Sequence, residues 1–198
     1  MTSLRGCVTD IQSARFYETI RASKINGWMT LDELIWLYDL GDSHAGGAIV
    51  EVGSWMGRSL YAIAAGMKWG RLWAVDNMSG KSGASGSATP EEQEDGLYST
   101  LWQIKKAFPD LTTSLIPMAS VDAARDVFAR GKVELDAVFI DGDHRREHVT
   151  ADIKAWGPLV RHGGEICGHD YPEVGKAVDE QLPDAVVVAN TIWSARKA

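Results

Sequence analysis

The stretch from Ala48 to Ser59, AIVEVGSWMGRS, constrains this chain more than any other. Ala48 to Val52 is a short apolar run with β-branched residues, the pattern of a strand buried on both faces. It breaks at Gly53 and Gly57. From Ser59 the spacing turns helical, with Leu60, Ile63, Ala64 and Met67 on one face. A buried strand, a glycine turn and an amphipathic helix offer free amides and a positive dipole end to an anionic group. Such a unit forms the first half of a nucleotide-type site.

The spacing discriminates between ligands. A dinucleotide fingerprint needs G-x-G-x-x-G, and here Gly53 is followed by Ser54 and Trp55. No G-x-x-x-x-G-K-[ST] occurs either. What remains is Glu51-x-Gly53-x-x-x-Gly57, with an acid on the strand before the first glycine. This resembles motif I of the class I S-adenosylmethionine (SAM)-dependent methyltransferases, whose glycines let the backbone approach the methionine end of the cofactor. An ordinary strand-to-helix turn is the competing reading of these residues alone.

A length of 198 residues suffices for one α/β domain with a proper core. A net charge of -7 argues against nucleic acid as the main partner, because phosphate binding wants a basic surface. No apolar run approaches a membrane span, and Met1 to Gln12 has no apolar core of a secretory signal. Cys7 and Cys167 make no metal-type spacing, and Cys167 sits in an apolar run as a buried free thiol. A reducing cytoplasm fits that usage. The tryptophans are scattered, which suits core and pocket use.

Residues 1–30 read as a helical preface, with Ile11, Ala14, Tyr17 and Ile20 on one face. Thr30 and Glu33 form a capping box for a second helix, which ends near Gly41 and buries Leu34, Leu37 and Tyr38. After the Gly57 helix, Arg71 to Asp76 reads as a strand ending in an acid. Asn77 to Gly96 is rich in Gly and Ser, then acidic, without periodicity; a lid over substrate and a solvated insertion are both open. Leu97 to Phe108 is a helix, Thr112 to Pro117 a strand, and Ser120 to Arg130 a helix with Val121, Ala124, Val127 and Phe128 inward. Leu135 to Asp141 is the strongest strand. His144 to Leu159 is a helix with Val149, Ile153, Trp156 and Val160 inward, and Gly163-Gly164 turns into strand Glu165 to Gly168. Pro172 opens a helix through Leu182, and Ala185 to Ala189 with Thr191 to Ala195 form an antiparallel pair.

Strands alternating with helices predict a doubly wound parallel sheet with one reversed strand, a Rossmann-like α/β fold. The expected organisation is one domain, 46–198, with 1–45 as an N-terminal helical extension packed on it.

Ligands of such sheets bind at the carboxyl ends of the strands. The residues there are Glu51, Gly53 and Ser54 on the first strand, Asp76 on the second, and Met118, Ala119 and Ser120 on the third. The fourth supplies Asp141, Gly142, Asp143 and His144, and the fifth His169, Asp170 and Tyr171. Asp76 lies where two acceptor oxygens take both hydroxyl protons of a ribose, or it caps a loop.

Several ordered stretches match one pattern: Gly27-Trp28-Met29-Thr30, Glu51-Val52-Gly53 with Gly57-Arg58-Ser59, and Ala74-Val75-Asp76. Ile140 to His144, Ala151 to Gly164 and Gly168 to Tyr171 complete it. Over residues 25–182 the chain resembles the class I methyltransferases that include sugar and natural-product O-methyltransferases and cephalosporin-hydroxylase-like proteins. That resemblance implies a seven-stranded sheet ending in a reversed strand. It implies SAM as cofactor, held by Glu51, Gly53, Ser54, Gly57, Arg58, Ser59, Asp76, Asn77, Ser120 and Asp141. Some relatives place Mg²⁺ near the acceptor and use a histidine beside the strand-four acid as base. Carried over, Asp141 and Asp170 are the metal candidates and His144 the base, so the catalytic set is His144, Asp141 and Asp170. The chain departs at strand five, where His169-Asp170 replaces an acidic pair and an all-oxygen Mg²⁺ shell loses a member.

Simpler readings stand beside these: Asp143 as an N-cap, His144 as a first-turn surface residue, and Asp170 as a cap beside Pro172. The expected activity is methyl transfer to a hydroxyl of a small acceptor, a sugar or glycosylated metabolite. The alternatives are a hydroxylase-like or NAD-linked enzyme on the same scaffold, and a non-catalytic SAM-binding module. Trp28, Trp36 and the first helices pack either on the core or on a second subunit, so a homodimer is an option.

Overall fold

A computed structural model describes residues 5–79 and 88–198, with side chains from Ala14 onward. The first core strand, β1 (Ala48–Val52), is buried along its whole length. It is followed by α3 (Arg58–Met67), β2 (Gly70–Val75), α4 (Pro90–Ala107) and β3 (Leu111–Ile116). The second half runs α5 (Ser120–Ala123), β4 (Leu135–Ile140), α6 (Arg146–Trp156), β5 (Val160–Gly168), α7 (Tyr171–Gln181), β6 (Val186–Ala189) and β7 (Ile192–Arg196). Two helices precede the sheet, α1 (Arg5–Ala22) and α2 (Leu31–Ser43). The seven strands order as β3-β2-β1-β4-β5-β7-β6. β1 to β5 are parallel, and β7 runs antiparallel to both β5 and β6. The expected Rossmann-like sheet with a reversed C-terminal strand is what forms.

Strand alternation sends side chains to two apolar layers. Ile49, Leu72, Phe139 and Cys167 join the layer under α2, α3 and α4. Val50, Val52, Val138 and Ile166 join the layer under α6 and α7. The order reverses between β1 and β4, and the crevice outside their carboxyl ends is the topological switch point. There Gly53, at φ +83°, lies so near β4 that a Cβ would stand 2.2 Å from the Asp141 carbonyl oxygen. Among the described residues, no helix is long and apolar enough to cross a membrane.

Several local expectations need correction. The α3 helix is not amphipathic in place, because Ser59 through Met67 are all buried. The α2 helix covers its outer side, so closely that a Cβ on Gly66 would meet the Tyr38 carbonyl oxygen at 2.0 Å. On α1 the predicted face turns outward: Tyr17 is 62% exposed, while Thr19 and Ala22 are buried. The Ile11 and Cys7 side chains lie outside the described residues. The Asn77–Gly96 loop is shorter than predicted, because Thr89 and Glu92 form a capping box and Pro90 opens α4. Its acidic run occupies the first turns, where the helix dipole favours it. Residues 80–87, part of the proposed lid, lie outside the described residues.

After α5 the chain continues as a π-helix over Ala124–Ala129. Its wider i→i+5 turn breaks the 3.6-residue face, so Ala123 and Phe128 are buried while Val121 and Val127 are exposed. The α6 helix begins at Arg146 rather than His144, which leaves His144 in the loop after β4. It ends at Trp156 in a short 3₁₀ turn, and Val160 already belongs to β5. The Gly163-Gly164 turn is a bulge inside β5, where the pairing shifts between Leu135 and Ala137.

Candidate active site

The crevice has two sides. On the β1 side, the Gly53–Gly57 loop turns into α3 through Gly57, at φ +89°, with no side-chain cap on the helix. Glu51 is fully buried, and neither of its carboxylate oxygens has a hydrogen-bond partner. Burial raises its pKa to about 8; the nearby Ser54 and Ser59 hydroxyls oppose the shift and the Asp141 charge adds to it. The Ser54 hydroxyl and the Trp55 indole nitrogen are also buried without partners. An unpaired buried carboxylate costs stability unless a ligand satisfies it. The Glu51 oxygens and the Ser54 hydroxyl can accept from a positively charged amine, as SAM has, whereas the Trp55 indole N–H can only donate.

Asp76 closes this side. Its Oδ2 accepts from the Trp55 amide at 3.0 Å. Its Oδ1 accepts from the Met78 amide at 2.8 Å and from Gln93 Nε2 at 2.9 Å. Asn77 is exposed, and its side chain accepts from the Ser79 amide.

Arg58 and Ser120 have their polar groups engaged elsewhere. Arg58 donates to the carbonyls of Ile25, at 2.7 Å, and Met29, at 3.0 Å, tying the segment before α2 to the start of α3. The Ser120 hydroxyl donates to buried Asp152 and accepts from the Trp156 indole at 2.8 Å. Burial raises the Asp152 pKa to about 6.

On the other side, the ends of β4 and β5 bring Asp141, His144, His169 and Asp170 together. His144 Nε2 stands 3.2 Å from Asp170 Oδ2 and 3.8 Å from Asp141 Oδ1. His169 Nδ1 faces the same two oxygens, at 3.1 Å and 3.5 Å. The Asp141 carboxylate beside it is the main cause that raises the His144 pKa to about 9, against desolvation, with Asp170 and Glu173 adding to it. Burial would lower the His169 pKa, but Asp141, Asp170 and Glu33 outweigh it and raise it to about 12. Burial would raise the Asp170 pKa, but His169 keeps it lowered.

The simpler readings of the acids fare differently. Asp143 pairs with the Arg145 guanidinium and amide, which hold its pKa at about 2, and it neither caps α6 nor touches His144. Asp170 occupies the N-cap position of α7 with φ +54°, yet its side chain makes no cap bond. Two partners went unseen in the sequence. Glu173 Oε2 lies 3.2 Å from His144 Nδ1. Glu33, read only as half of a capping box, reaches His169 Nε2 at 3.1 Å.

Asp141, His144 and Asp170 each offer a ligand atom, and these atoms lie within 4.8 Å of one another. Two carboxylate oxygens and an imidazole nitrogen fit a divalent cation. The nitrogen suits a borderline transition ion better than Mg²⁺.

A doubly wound sheet with a loop-and-acid site at its switch point defines a Rossmann-like nucleotide-cofactor protein. The family described as "Methyltransferase domain" matches residues 50–171, and the chain belongs to that family. Among solved structures, the fold resembles CalS11, a TDP-rhamnose 3'-O-methyltransferase of calicheamicin biosynthesis. Identity is 15%, covering 91% of this chain and 93% of that one, with a TM-score of 0.60. It also resembles the O-methyltransferase from Bacillus cereus in complex with SAH, at 15% identity over 93% and 91% of the chains and a TM-score of 0.62. MycE of mycinamycin biosynthesis, bound to Mg, SAH and mycinamycin VI, is similar over 93% of this chain and 54% of its own, at 16% identity and a TM-score of 0.59. A search of curated proteins by sequence finds no match.

Proposed function

We propose that this methyltransferase transfers the methyl group of SAM to a hydroxyl of a small acceptor, a sugar or glycosylated metabolite. The observation that carries the reading is the juxtaposition at the switch point. The orphaned Glu51 carboxylate lies on β1, and the Asp141–His144–Asp170 cluster lies at the ends of neighbouring β4 and β5. Bound SAM supplies an electrophilic methyl on a sulfonium. Glu51 and Ser54 would meet its amine, the Gly53 turn would admit its methionine end, and Asp76 would accept from its ribose hydroxyls. The acceptor hydroxyl is held in line across the crevice, forms its new bond to the methyl carbon as the C–S bond breaks, and gives up its proton. The electron pair of that bond would stay on the sulfur, which would give SAH as the product.

His144 is the group placed to take the proton. In the free protein its carboxylate neighbours keep it protonated at neutral pH, so its action as a base is expected above about pH 9. A divalent cation on Asp141, His144 and Asp170 would instead polarise the hydroxyl directly. It would also occupy the imidazole, so the two roles of His144 exclude each other. The mixed ligand set and the Mg in MycE support the metal reading. A buried free Cys167 thiol agrees with a cytoplasmic setting.

Thermal melts with SAH, SAM, NAD and no ligand test the cofactor. A rise with the SAM compounds alone is expected, and a rise with NAD alone overturns the reading. Hydroxylated sugars screened with methyl-labelled SAM identify the acceptor. On that acceptor His144→Ala is expected to lose about 10²–10⁴-fold in rate. Dialysis against EDTA separates the two roles of the imidazole.

A further inference from the structure

Glu33 carries more bonds than a helix cap requires. Its Oε2 accepts from the Thr30 amide at 2.8 Å and the Thr30 hydroxyl at 2.9 Å, which completes the capping box of α2. Its Oε1 is turned the other way. That oxygen accepts from the Thr191 amide at 3.2 Å, the Thr191 hydroxyl at 2.8 Å and His169 Nε2 at 3.1 Å. The carboxylate is buried, with 2% of its side chain exposed, and its pKa stays near 2 despite desolvation, because His169, Thr30 and Thr191 bond it. Asn190, in the β6–β7 turn, donates to the Thr30 hydroxyl at 2.8 Å, so the start of α2 is clasped to the C-terminal hairpin.

We infer that Glu33 is a positioning residue for the acid–imidazole cluster, orienting Asp141 and Asp170 through His169. The inference rests on reading that cluster as the acceptor site. Glu33 fixes one nitrogen of the His169 ring, which aims the other at Asp141 Oδ1 and Asp170 Oδ2. Those two oxygens are the ones His144 Nε2 faces. The His169 ring therefore sets the carboxylates from behind, and His144 meets them from the crevice. The charge-assisted bond at Nε2 holds this orientation more firmly than a neutral one, and the ion pairs at Nδ1 favour the same ring position. Outer partners of ligating carboxylates commonly tune a site in this way. The α2 helix, 136 positions before His169 at Glu33, thus supplies a working part of the site.

The test compares the imidazole ¹⁵N–¹H spectra of five proteins at one pH: wild type, Glu33→Gln, His169→Gln, the double variant of these two, and Thr30→Ala. Glu33→Gln is expected to shift the ring signals of both His169 and His144. Thr30→Ala weakens the helix cap and lowers the melting temperature, yet leaves both rings unmoved. His169→Gln is expected to displace the His144 signals in the same direction, and the effects of Glu33→Gln and His169→Gln on His144 should not add. Mn²⁺ titration followed by electron paramagnetic resonance should show Glu33→Gln binding about 10–100-fold more weakly. SAH melts should show an unchanged shift. Unmoved His144 signals in Glu33→Gln overturn the inference, as does a shift no larger than that of Thr30→Ala or full additivity in the double variant. If Glu33→Gln does not fold, unmoved His144 signals in His169→Gln overturn it equally. Wild type that fails to bind Mn²⁺ counts against the metal reading, while the ring signals still decide the role of Glu33.

Discussion

The two sides of the crevice are built on opposite principles. On the β1 side, Glu51, Ser54 and Trp55 hold buried polar atoms with no partner. On the β4–β5 side, Asp141, Asp170, Glu33 and Glu173 share two imidazoles and leave little unmet. The first side gives up stability by burying an unpaired carboxylate that a cationic ligand would satisfy. The second is satisfied by its own residues, so an acceptor or a metal ion must compete with bonds already made.

The largest expected effect falls on the unsatisfied side. Glu51 has a folded pKa of about 8, above its unfolded value of 4.5. The folded state then holds more protons between those values, so stability is fully present below pH 4.5 and declines as pH rises through 8. Each unit of such a shift corresponds to about 1.4 kcal/mol, so the decline amounts to several kcal/mol. Glu51→Gln is expected to remove this slope in denaturant melts across pH 5 to 9 and to stabilise the free protein at pH 8. It should weaken SAH at the same time. Asp152, His144 and His169, whose pKa values are also raised, leave a residual slope in both proteins, so a slope equal to that of wild type in the variant breaks the contrast between the two sides.

Asp76→Asn comes next. A charged hydrogen bond is worth about 1.5–3 kcal/mol, so SAH affinity measured by calorimetry should fall about 10–100-fold. The imidazole signals of His144 and His169 should stay in place, because Asp76 contacts neither. Movement there would mean that the two sides are coupled through the sheet. The smallest effect belongs outside both. Thr89→Ala removes the cap of α4 and should cost about 1 kcal/mol of stability, with SAH affinity nearly unchanged.

Much of this was legible in residues 48–59, 76 and 135–170 before any coordinates. The β1 run, the breaks at Gly53 and Gly57 and the acids at strand ends are local signals, and each formed about where its pattern put it. The faces of helices were less legible. The α3 helix shows one apolar stripe yet is buried all round, because α2 packs on another side at Gly66, where the lack of a side chain lets its backbone come close. The turn beyond Ser120 changed period, and no residue there announces a π-helix. Arg58 and Ser120 stand in the expected neighbourhood, with their polar groups turned to Ile25, Met29, Asp152 and Trp156.

The sequence by itself determined the alternation of strands and helices, the glycine turn and the list of acids and imidazoles at the strand ends. These follow from periodicity and backbone preference over a few residues. Only the tertiary structure decided that Glu51 would be orphaned, that His144 and His169 would share the same two carboxylate oxygens, and that Glu33 would reach His169 across 136 positions. Such pairings depend on which strands become neighbours and which helix ends are pressed against them. A capping box reads the same whether its glutamate faces water or a buried ring.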